Sequence, residues 1–159
     1  MTQDQQVRQQ IAKLLDWGEA HADFRSVVDN FDEDLRGDVP PGFSHSAWEM
    51  LEHLRIALWD IVEFTKDARH KSPPWPDGYW PPLRNPPQQE AWDQCVASIV
   101  DLLEEMRGLV LDKHRPLLEP LPKSQGQTLM REALLAADHN AYHLGQLVQL
   151  RKALKDWKK

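Results

Sequence analysis

Seven of the chain's twelve prolines fall between Pro73 and Pro87, within the run Lys-Ser-Pro-Pro-Trp-Pro-Asp-Gly-Tyr-Trp-Pro-Pro-Leu-Arg-Asn-Pro-Pro that begins at Lys71. Proline has no backbone N–H and its ring clashes with the preceding turn, so this stretch can be neither a helix nor a central strand. Regular structure must therefore sit on either side of a long connection. Connections of this length are uncommon in compact domains and are usually functional or disordered. Trp75, Tyr79 and Trp80 favour order, because disordered linkers seldom carry aromatics at this density.

On both sides the apolar residues recur at three- and four-residue steps. A first helix is expected over about Asp4 to Val28, carrying Val7, Ile11, Leu14, Leu15, Phe24 and Val28. The breakers Gly37, Pro40, Pro41 and Gly42 then force a connection. Ser44 or Ser46 caps a second helix running to about Ala68, with Trp48, Leu51, Leu54, Leu58, Ile61 and Val62 on its stripe. A third spans about Gln88 to Lys113 and a fourth runs from Gln127 or Thr128 to about Asp156. No strand-like alternation competes with them. The expectation is an all-α fold, an antiparallel four-helix bundle with the Pro/Trp-rich loop between helices two and three. With 159 residues the chain is read as a single domain, 1–159. Trp48, Trp59 and Trp92 are assigned to its core.

Composition narrows the function. A formal charge of −6 argues against a nucleic-acid or polybasic membrane surface, and Lys152, Lys155, Lys158 and Lys159 read as a solvated helix end. No stretch is apolar enough to span a bilayer. The single cysteine, Cys95, forms no intrachain disulfide and reads as a buried small side chain. No secretion signal is evident, so a cytoplasmic location is expected. Neither a phosphate-binding loop nor a dinucleotide fingerprint occurs.

The chemistry-bearing run is Asp138-His139-Asn140-Ala141-Tyr142-His143-Leu144-Gly145-Gln146-Leu147. At about 100° per residue, His139 and His143 lie one turn apart on one face, within the stripe of Ala136, Leu147, Leu150 and Leu154. Imidazoles in an apolar stripe need partners, either a metal or hydrogen bonds in the core. His53, at the edge of the second helix's apolar arc, can supply a third imidazole from a facing helix. Three neutral nitrogens would leave coordination positions open for water or substrate. Two familiar patterns fail: Asn140 stands where a zincin needs Glu, and no histidine has Glu three residues before it, as a di-iron bundle requires. Glu132, seven residues before His139, and Gln146, three after His143, are candidates to orient a ligand or substrate; for Glu132 a capping or surface role competes. Trp75, Tyr79 and Trp80 either plug the bundle end or wall a substrate pocket. His21, His70 and His114 read as solvated, and His45, just before the second helix, as able to approach its N-terminus and not as a ligand.

His53 in Glu-His-Leu, with His139 and His143 in the Asp-His-Asn-Ala-Tyr-His-Leu-Gly-Gln-Leu run, resembles the DinB-like (damage-inducible) superfamily over nearly the whole chain. That resemblance implies a four-helix bundle, a homodimer, and a divalent metal on His53, His139 and His143 with water completing the site. It further implies kinship with transferases and isomerases that use low-molecular-weight thiols such as bacillithiol or mycothiol, and with metal-dependent hydrolases. The leading expectation is an enzyme holding Zn²⁺, Ni²⁺ or Fe²⁺ and activating a thiol or water toward a small-molecule substrate. The competing one is a non-catalytic metal-binding bundle, structural or serving as a stress-linked interaction module.

Overall fold

A computed structural model describes residues 1–16 and 20–157. It is all-helical, with five α-helices: α1 (Gln3–Leu14), α2 (Phe24–Val28), α3 (Ala47–Lys66), α4 (Ala91–Leu111) and α5 (Leu129–Ala153). Among the described residues there is no strand, and Pro120 and Thr128 form an isolated antiparallel bridge. The Pro/Trp-rich segment carries one short 3₁₀ turn, Asp77–Tyr79. No helix among the described residues is long and apolar enough to cross a membrane.

Local chemistry explains the boundaries. Thr2 and Gln5 close a capping box on α1, as Ser46 and Glu49 do on α3, each satisfying amides the first turn leaves without partners. Thr128 caps α5 through the Arg131 amide. The first expected helix is divided: α1 ends at Leu14, and Asp23, extended at ψ 158, starts α2 by accepting from the Ser26 amide at 2.9 Å. Buried Phe24, Val27 and Val28 give that short helix its own inward face. Residues 17–19 of the expected helix, and Lys158 and Lys159 of the basic run, lie outside the described residues.

α3 packs on both α4 and α5, and α1 packs on the same two helices. Leu51, Leu54, Leu58 and Val62 of α3 meet Trp92, Val96, Ile99, Met106 and Val110 of α4 and Ala133, Ala136, Leu144, Leu147 and Leu150 of α5 in one core cluster. Each fully buried leucine contributes about 1.5–3 kcal/mol. Trp59 departs from its core assignment: it is 37% exposed, with His70 set edge-on at 5.2 Å. Cys95 is buried as expected, and its burial raises the thiol pKa.

Two buried arginines tie helix ends to neighbouring helices. Arg8 of α1 donates to the carbonyls of Val110 (2.7 Å), Asp112 (2.9 Å) and Arg115 (2.8 Å), the orphaned acceptors where α4 ends. Arg151 of α5 does the same after α2, donating to Val27 (2.8 Å), Asp29 (3.1 Å) and Asn30 (2.7 Å) while Asp156 accepts from its Nε at 2.7 Å. Removing either guanidinium leaves several carbonyls without their donor. Arg151→Met is expected to cost about 3 kcal/mol in a denaturant titration. A loss below about 0.5 kcal/mol would show that water replaces these bonds freely.

Candidate metal centre

The packing of α3 on α5 brings His53 against His139 and His143. One ligand atom from each ring lies within 4.8 Å of the others. The rings cross at steep angles, 78° for His53 with His143 and 59° for His139 with His143, so they converge on a point and do not stack.

Hydrogen bonds fix which nitrogen of two of these rings carries the proton. His53 Nδ1 lies 2.8 Å from the Tyr79 carbonyl, which can only accept, so this nitrogen is N–H. His143 Nδ1 faces Gln146 Oε1 at 2.9 Å and Met50 Sδ at 3.1 Å, both acceptors, so it too donates. Each neutral ring then has a bare lone pair at Nε2, and the two Nε2 atoms face one another at 3.2 Å. Two acceptors at that distance repel unless something positive lies between them.

A proton does not serve near neutral pH. Burial pushes His143 down to about 4, helped by the neighbouring His139 and His53. Burial likewise lowers His53 and His139. A metal ion does serve. Two nitrogens at about 2.0–2.1 Å from one tetrahedral zinc are themselves about 3.3 Å apart, close to the observed spacing. His139 Nδ1 is also buried with no hydrogen-bond partner. Neutral imidazoles, an orphaned ring nitrogen and carbonyl-fixed tautomers are what a divalent site requires.

The other expected site residues divide. Trp80 lies flat on His53, ring centroids 4.0 Å apart and 7° from parallel, and His45 stacks on its far side at 3.9 Å. Tyr79 contributes its carbonyl to His53 and donates its hydroxyl to Asp60 Oδ2 at 2.6 Å. Burial, with the Asp60 bond, pushes the Tyr79 phenol up to about 12. Trp75 stands away, 79% exposed and edge-on to Tyr79. Gln146 touches His143. Glu132 is buried but its described partner is Arg131 Nη1 at 2.6 Å, so no described contact takes it to the histidines.

Four neighbours escaped the sequence reading. His45, expected only to approach the N-terminus of the second helix, belongs to the ring stack; Met50 contacts His143; Asp60 holds Tyr79. His70, expected in solvent, has a side chain 9% exposed and lies 2.7 Å from Asp60 Oδ1. Only Asp60 gave a signal, sitting seven residues after His53 on the same face of α3. A cavity of about 350 Å³ lies between the end of α3 and residues 114–122, and none of the three histidines lines it.

A family model described as the DinB superfamily matches residues 16–147, and the chain belongs to that superfamily. The comparisons with curated proteins and with solved structures give no match.

The depressed histidine pKa values have a consequence for stability. Above pH 6.5 His143 is neutral folded or unfolded and contributes nothing to pH dependence. Below it the unfolded chain takes up a proton that the folded ring refuses until about 4, so acid favours unfolding. The Tm of metal-free protein is expected to fall as pH drops from 6.5 to about 5, and His143→Gln to lessen that fall. An identical slope in the variant would contradict the assignment.

Proposed function

We propose that this chain is a metal-dependent enzyme acting on a small molecule, with His53, His139 and His143 holding one divalent transition metal, Zn²⁺, Ni²⁺ or Fe²⁺. The observation that carries the reading is the pair of Nε2 lone pairs facing each other at 3.2 Å with both Nδ1 atoms committed as donors. The chain 1–159 is read as one domain in which α1, α3, α4 and α5 form an antiparallel four-helix bundle. A homodimer and a cytoplasmic location complete the proposal.

A divalent ion at this position supplies Lewis acidity that lowers the pKa of a thiol or water near it. The chain's own residues do the rest. Three neutral imidazoles add no charge, so the ion's positive field is left to act on an incoming anion. The Tyr79 carbonyl and Gln146 hold the His53 and His143 rings at fixed tautomer and angle. Trp80 covers one side of His53 and keeps bulk water from it, while Gln146, beside His143, is proposed to line the substrate position. Cys95 is buried with a raised pKa, so it is no source of thiolate. The nucleophile is therefore assigned to a low-molecular-weight thiol or to water, for transfer to, or hydrolysis of, an electrophile.

Trp80 lying on His53 also favours a second reading, a closed, non-catalytic metal centre in a structural or stress-linked interaction module. The two differ in whether an outside ligand reaches the ion. Cobalt-loaded protein titrated with 2-mercaptoethanol is expected to develop a thiolate-to-cobalt absorption band, and His143→Ala, its helicity intact, to lack it. A spectrum unmoved by thiol would support the closed centre and count against the enzyme.

A further inference from the structure

His53 and Asp60 share one face of α3, two turns apart, and a single residue of the Pro/Trp-rich segment bridges them. Tyr79 donates its hydroxyl to Asp60 Oδ2 at 2.6 Å and accepts at its carbonyl from His53 Nδ1 at 2.8 Å. His70 Nε2 lies 2.7 Å from the other Asp60 oxygen, so the carboxylate has a partner on each side. The turn that presents Tyr79 is tightly built: the Gly78 amide donates to the Pro74 carbonyl at 2.8 Å. A Cβ on Gly78 would come within 2.7 Å of Pro74 and 2.8 Å of Pro73, so glycine is required for the prolines to pack there. The next residue, Trp80, is the one stacked on His53.

From this juxtaposition we infer that Asp60 is a positioning residue for the metal centre, acting through Tyr79 to fix the tautomer and angle of His53 and to lay Trp80 over it. The inference rests on the three histidines being the metal site. Asp60 touches none of His53, His139 and His143 in any described contact, and its influence is carried by the Tyr79 backbone. The His70 pairing holds the carboxylate in the rotamer that meets the Tyr79 hydroxyl. Outer groups that orient a ligating histidine typically change metal affinity about 10- to 100-fold when removed.

The test is zinc affinity, measured by chelator competition on the full chain for wild type, Asp60→Leu, Asp60→Asn, Tyr79→Phe and the Asp60→Leu/Tyr79→Phe double variant. Asp60→Leu and Tyr79→Phe are each expected to weaken zinc at least about 10-fold, and the double variant no more than the worse single, because both break one link. Asp60→Asn, whose amide oxygen can still accept from Tyr79 while His70 shifts to its Nδ1–H tautomer and accepts from the amide N–H, is expected to stay within about threefold of wild type. In the metal-free protein, ¹⁵N shifts are expected to report His53 as Nδ1–H in wild type and as mixed tautomers in Tyr79→Phe. Single variants that bind zinc like wild type, or losses that multiply in the double variant, would overturn the inference. Wild-type protein that takes up no zinc, nickel or iron would overturn the metal reading and this inference together, an outcome distinct from the first two.

Discussion

Two imidazole nitrogens facing each other without a proton between them are the constraint on which the functional account depends. Each ring, taken alone, is an ordinary buried histidine with one satisfied N–H. Set 3.2 Å apart with both protons committed elsewhere, the Nε2 atoms of His53 and His143 are mutually repulsive. Buried polar groups left in conflict cost several kcal/mol, and a sequence built for stability alone would place leucine there. The arrangement makes sense as a preorganised receptor for a cation, which would relieve the repulsion between the two nitrogens on binding.

The fold supplies that preorganisation through helices and not through loops. α3 and α5, 20 and 25 residues long, are core helices that pack on each other, and leucines above and below the histidines lock their relative height. Arg8 and Arg151 fasten the helix ends to carbonyls of other elements, which keeps the frame from fraying where hydrogen bonds run out. The connection between α3 and α4, excluded from helix by its prolines, is free to turn back over α3. It brings one carbonyl and one indole to His53.

Much of this was legible in the residues. The His139/His143 pair was visible because four residues make one turn of helix, and His53 because its helix carries an apolar arc beside it. The starts of α3 and α5 were narrowed to Ser44 or Ser46 and to Gln127 or Thr128, and the caps are Ser46 and Thr128. What escaped was whatever depends on a path through space. The partnership of His70 with Asp60 needs the chain to fold back after α3, and the sandwich of Trp80 between His45 and His53 needs the turn at Asp77–Tyr79. Periodicity also cannot distinguish the centre of an apolar stripe from its margin, which is why it assigns Trp59 to the core although the residue is 37% exposed. Glu132 shares a helical row with His139, yet Arg131 takes its carboxylate.

The central claim is that the three histidines converge to bind a single ion, and X-ray absorption at the metal edge of zinc-reconstituted protein tests it most directly. The account expects nitrogen scatterers at about 2.0–2.1 Å with the outer-shell pattern of three imidazoles, and a further light ligand in the remaining position. A first shell of oxygens without imidazole scattering, or one containing the Cys95 sulfur at about 2.3 Å, would contradict it.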